Sequence, residues 1–66
     1  MYSSYEILEK ALQKEQQSFE FYSNLTDTCT NEPLKKLLEK LRDEESRHIH
    51  MVEKMLTHLK LGHTPV

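Results

Sequence analysis

Three side chains in this sequence have the types and spacing to do metal chemistry: Glu15, Glu45 and His48. Glu45 and His48 sit in the run LRDEESRHIH, residues 41–50, as Glu-x-x-His. On a helix, positions i and i+3 are neighbours on one face, so this carboxylate and this imidazole point the same way. Carboxylates carry negative charge and bridge cations. Imidazole caps a metal and leaves other positions open for a small ligand. Glu-x-x-His by itself is a weak signal. What strengthens it is where the three residues fall in the apolar pattern.

That pattern is helical. In the first half a stripe with steps of four and three reads Leu8, Leu12, Glu15, Phe19, Tyr22, Thr26, Cys29, flanked by Ile7, Ala11, Phe21 and Leu25. In the second half it reads Leu34, Leu38, Leu41, Glu45, His48, Val52, Met55, Leu59, widened by Leu37, Met51 and Leu56. A repeat near 3.5 is that of coiled coils and four-helix bundles. Each stripe is interrupted near its middle, once by Glu15 and once by Glu45 with His48. A buried carboxylate without a partner is costly. Two such breaks at one height therefore call for a shared partner.

The heights do match. The segment TCTNEP, residues 28–33, is the internal turn signal. Counting from residue 31, Glu15 lies 16 residues before it, and Glu45 and His48 lie 14 and 17 after it. At about 1.5 Å of rise per residue, all three fall within roughly one helical turn of a common level.

The elements that position them are two helices. Ser3 and Glu6 form a capping box that starts the first, over about residues 4–28. A turn occupies about 29–32. Asn31 or Glu32 caps the second helix, Pro33 suits its first turn, and it runs over about 33–61. Gly62 fits a C-terminal cap, Pro65 follows, and HTPV is read as a frayed tail. The fold class is all-α: an antiparallel two-helix hairpin forming one domain across residues 1–66. Two helices cannot close a core. The hairpin is therefore expected to dimerise into a four-helix bundle, or to form something larger. A two-fold pair would gather four Glu and two His, the donor set of a di-iron carboxylate centre.

Composition narrows the function classes. A single cysteine, Cys29, argues against a disulfide-stapled secreted domain and for a reducing cytoplasm. The opening MYSSYEILEK has no basic n-region or apolar h-region, and no run approaches a membrane span. Net charge is −2 with mixed signs, which offers no nucleic-acid patch and no polybasic membrane anchor. Glu9, Lys10, Gln13, Gln16, Gln17, Lys36, Glu39, Lys40 and Lys54 fall on solvated faces. Phe19, Met51 and Met55 are assigned to packing, Cys29 to a small apolar position, Glu44 to flank or surface, and His50, His58 and His63 to solvent.

The run ALQKEQQSFEFYSNL…NEPLKKLLEKLRDEESRHIHMVEKML resembles one half of a ferritin-like di-iron domain of the rubrerythrin type. The shared pattern is a Glu, a Tyr seven residues on, and Glu-x-x-His on the next helix: Glu15, Tyr22, Glu45 and His48. The 30-residue step from Glu15 to Glu45 is also similar to that of the two-helix encapsulated ferritins, which build the iron site across a subunit interface. The resemblance covers about residues 8–58. It implies two bridged Fe ions per dimer, with Mn or Zn as other occupants, on Glu15, Glu45 and His48. It implies Tyr22 hydrogen-bonded to a ligand carboxylate, and Fe(II), O2 or H2O2 as substrates of a ferroxidase- or peroxidase-like oxidoreductase. These 66 residues hold no rubredoxin-like, all-cysteine iron module of the kind a full rubrerythrin carries, and LGHTPV shows no cargo-targeting tag. The rival expectations are a non-catalytic hairpin that dimerises or docks as an interaction module, and a redox-inactive metal binder.

Overall fold

The computed structural model describes residues 1–62. The expectations for His63, Pro65 and the rest of the HTPV tail lie outside the described residues. Two helices make up the fold: α1, Ser4–Thr28, and α2, Glu32–Lys60. Their ends follow local chemistry. Ser3 Oγ accepts from the Glu6 amide at 3.1 Å, and the Ser3 amide donates to Glu6 Oε1 at 3.2 Å, a closed capping box. α1 stops where Cys29 turns extended, at φ −80° and ψ 126°. Asn31 Oδ1 accepts from the Leu34 amide at 3.0 Å and starts α2 one residue earlier than the sequence suggests, with Pro33 in its first turn. Gly62 takes φ +74°, the left-handed conformation that ends a helix without a Cβ penalty.

The helices pair antiparallel along their length. The molecule measures 46 × 24 × 13 Å, so its thinnest dimension is about one helix diameter. A slab one helix thick has almost no interior. Among the described residues only Leu56 and Thr26 are buried. The rows meeting between the helices are half-buried: Leu8, Leu12, Glu15, Phe19 and Tyr22 from α1, and Leu38, Glu45, Ile49, Val52 and Leu59 from α2.

The second stripe needs correcting. Leu34, Leu37, Met51 and Met55 are exposed, Met51 at 68 %, while Ile49 and Leu56 face α1. Within one hairpin, Met51 and Met55 are therefore not packing residues. Glu39 and His58, expected on solvated faces, are half-buried; Glu44 and His50 are exposed.

The exposed apolar residues are not scattered. At about 100° per residue, Ile7, Phe21 and Leu25 lie roughly 100° from the inward row of α1. Leu37, Met51 and Met55 lie roughly 80–120° from that of α2, in the same rotational sense. Because the helices are antiparallel, equal rotation carries both flanks to one side of the hairpin. All six are more than a third exposed. The hairpin thus has one open apolar face, with a polar waist at the level of Glu15 and His48.

Candidate metal centre

The waist is built by one side chain from α1 and two from α2. Glu15 sits mid-helix on the inward row, with Leu12 and Phe19 packed above and below it. Glu45 stands opposite on the inward row of α2. His48, one turn on, lies between that row and the open flank. Side-chain exposure tracks these positions: 18 % for Glu45, 29 % for Glu15 and 48 % for His48.

Nδ1 of His48 is 3.3 Å from Oε2 of Glu15 and 3.8 Å from Oε2 of Glu45. One donor atom from each of the three residues falls within a 4.8 Å cluster. Glu45 Oε2 is itself buried and has no hydrogen-bond partner. Among the described buried side-chain nitrogens and oxygens it is the only one left so. Burying such a group costs on the order of 1–3 kcal/mol unless something else satisfies it.

The two carboxyls respond to each other. Glu45 is pushed above the ordinary carboxyl range, first by the Glu15 carboxyl beside it, then by desolvation and by the Glu15 charge. Glu15 is held below that range, first by the neighbouring Glu45 carboxyl, against desolvation, and then by His48 and the nearby Lys14. Two carboxylates and one imidazole nitrogen form a hard-to-borderline donor set that suits iron, manganese or zinc. An orphaned buried oxygen aimed into that set fits a cation there.

The structure brings together all three residues singled out as ligands. Tyr22 is half-buried two turns from Glu15, and its ring packs edge-on against Phe21 at 5.3 Å between centroids. No hydrogen bond from its hydroxyl to a site carboxylate is found among the described residues. Glu44 is exposed and pairs with Arg47 at 3.8 Å, and its charge still contributes to raising Glu45. Sequence reasoning gave no role to Lys14, which is near enough to Glu15 to act on its charge. Its adjacency to Glu15 on the open flank was the available signal.

The chain is an all-α hairpin presenting Glu on one helix and Glu-x-x-His on the other. A sequence model of the rubrerythrin family matches residues 6–66, and the chain belongs to that family. No curated protein and no solved structure matches the chain. No described helix is long and apolar enough to cross a membrane.

Proposed function

We propose that two copies of the hairpin pair through the open apolar face into a four-helix bundle, and that its waist is a di-iron carboxylate centre. Each chain gives Glu15, Glu45 and His48. The observation that carries this reading is the buried, unpartnered Oε2 of Glu45 beside Glu15 and His48. Membership of the rubrerythrin family supports it. So does the open face, which leaves the site half-walled in one hairpin.

Iron held there supplies one-electron chemistry toward O2 or H2O2, which makes the reaction class Fe(II) oxidation or peroxide reduction. The chain's own residues do the rest. Glu15 and Glu45 bind and supply compensating charge; two hairpins bring four carboxylates against the four positive charges of two divalent ions. His48 caps through a ring nitrogen. Cation binding needs both carboxyls ionised, so the shift that raises Glu45 opposes loading on the acid side. Leu12 and Phe19, about one turn either side of Glu15, flank the waist and limit water. In the paired bundle Tyr22 orients a ligand carboxylate through its hydroxyl. The cytoplasm is the compartment proposed, on the single free cysteine.

The test is bound iron per chain after anaerobic Fe(II) loading and desalting, with Glu45→Ala as control. About one iron per chain, lost in the variant, supports a two-iron site per dimer. No retained iron, or equal iron in both proteins, overturns it and leaves the three residues as structural pairing in an interaction module. Retained metal with no turnover of O2 or H2O2 leaves a redox-inactive binder.

A further inference from the structure

Met51, Met55 and His58 all depart from their sequence assignments within one stretch of α2. The two methionines are exposed, at 68 % and 37 %, and the histidine is half-buried. Their spacing, Met-x-x-x-Met-x-x-His, is what brings them together. At about 100° per residue the three fall within an arc of roughly 60° on one face of the helix. With Lys54 they line one shallow concavity of about 220 Å3. No carboxylate lines it. His58 has no hydrogen-bond or ion-pair partner among the described residues. Interface packing would account for the thioethers, but it gives no reason for an imidazole at the end of their row.

We propose that Met51, Met55 and His58 form a second metal site, for a soft monovalent cation of the cuprous class. Thioether sulfur is a soft, uncharged donor and imidazole a borderline one. Such a set suits Cu+ and its redox-inert analogue Ag+, which are content with few ligands. It offers a hard dication neither oxygen nor negative charge. Met55 and His58, at i and i+3, are the nearest pair. Met51, one turn back from Met55, reaches in on a flexible side chain. Lys54 sharpens the choice, because its charge repels a dication about twice as strongly as a monocation at the same distance. The waist is the converse, with two carboxylates and one imidazole. One hairpin thus carries two donor sets of opposite hardness. The soft site does not rest on the metal-centre reading, since its donors come from α2 alone and include none of the waist residues.

The experiment is a titration with silver nitrate in chloride-free buffer, read by NMR in the methionine methyl signals. It is run on the full chain carrying Cys29→Ser, so that the thiol near the turn does not take the ion. Met1 is the internal control. The Met51 and Met55 signals should shift together and saturate at about one Ag+ per chain, with Met1 unmoved. Met55→Leu, which conserves volume, and His58→Gln should each abolish the Met51 shift. Glu45→Ala should keep it. Unmoved Met51 and Met55 signals, a Met1 shift equal to theirs, or a response that survives both Met55→Leu and His58→Gln overturns the site. Loss of the response in Glu45→Ala does so too, by placing the ion at the waist. An intact Ag+ response in a protein that retains no iron supports the soft site and sinks the metal-centre reading alone.

Discussion

Glu15 and His48 are 33 residues apart in the chain, yet Oε2 of one lies 3.3 Å from Nδ1 of the other. The contact crosses the hairpin at its waist and is drawn from both helices. A helical hairpin with an ordinary core would place two apolar side chains there. Replacing both by leucine should therefore stabilise the metal-free chain, by about 1 kcal/mol, since so exposed a pair contributes little itself. Denaturant unfolding of Glu15→Leu/His48→Leu would check this. A loss of stability would mean that the pair contributes to folding in its own right.

Metal should reverse that order. Mn2+ at about 100 times its Kd stabilises a folded binder by about 2.7 kcal/mol. In so small a chain that is a rise in Tm of many degrees. The rise should vanish in Glu45→Ala and in His48→Ala. A thermal melt with and without Mn2+ measures it, and an equal rise in the variants would place the metal elsewhere.

The pH dependence of the metal-free protein has two opposed parts. Glu45 is raised, so its contribution is present below the ordinary carboxyl value of 4.5 and is lost as pH climbs through its higher folded value. Glu15 is lowered, so its contribution is present above 4.5 and is lost as pH falls through its lower folded value. Stability from the pair thus peaks around the usual carboxyl range. Glu45→Gln should remove the decline on the neutral side and leave the acid side in place. Urea midpoints from about pH 4 to about pH 7 would show whether the two curves converge toward acid, as expected, or run parallel.

Assembly should depend on the open face. Phe21→Glu or Met51→Glu places a charge where a second copy would seat. Each should cost about 2–4 kcal/mol of association, since truncation at the centre of an interface has effects of this size. Light scattering should then report monomer at micromolar concentration. Iron retention should fall with it, although all three ligands are intact. A monomeric variant that still holds iron would show that one hairpin suffices.

Tyr22→Phe separates packing from orientation. The ring stays against Phe21, so metal-free melting should move little. Loss of an orienting hydroxyl in the bundle should lower Mn2+ affinity about tenfold or more with stoichiometry unchanged. Unchanged affinity would leave Tyr22 as a packing residue.

Much of this was legible in the residues. Ser3 with Glu6, Asn31 with Pro33, and Gly62 are local devices, so the helix ends could be read to within a residue. The Glu15, Glu45 and His48 cluster was legible because the three break an otherwise apolar rhythm at matching heights. What could not be read was which apolar row meets which neighbour. The sequence stripe through Leu34, Leu38, His48, Val52 and Met55 mixes two rows. Leu38, Ile49, Val52 and Leu56 face α1, whereas Met51 and Met55 face outward. Periodicity gives the width of an apolar arc and does not divide it between partners. Lys14 escaped notice for a related reason, since a lysine beside a stripe looks like solvated surface until the face it shares is known.

The slab is one helix thick, and a single hairpin contributes two carboxylates but only one imidazole. If two such slabs enclose the centre, both metal positions are written by the same codons. No substitution can alter one position and spare the other. A single-chain four-helix bundle can evolve unlike halves; in a centre built from two identical hairpins, chemical symmetry would be inherited with the gene, and any difference between the two metals would come from what binds them.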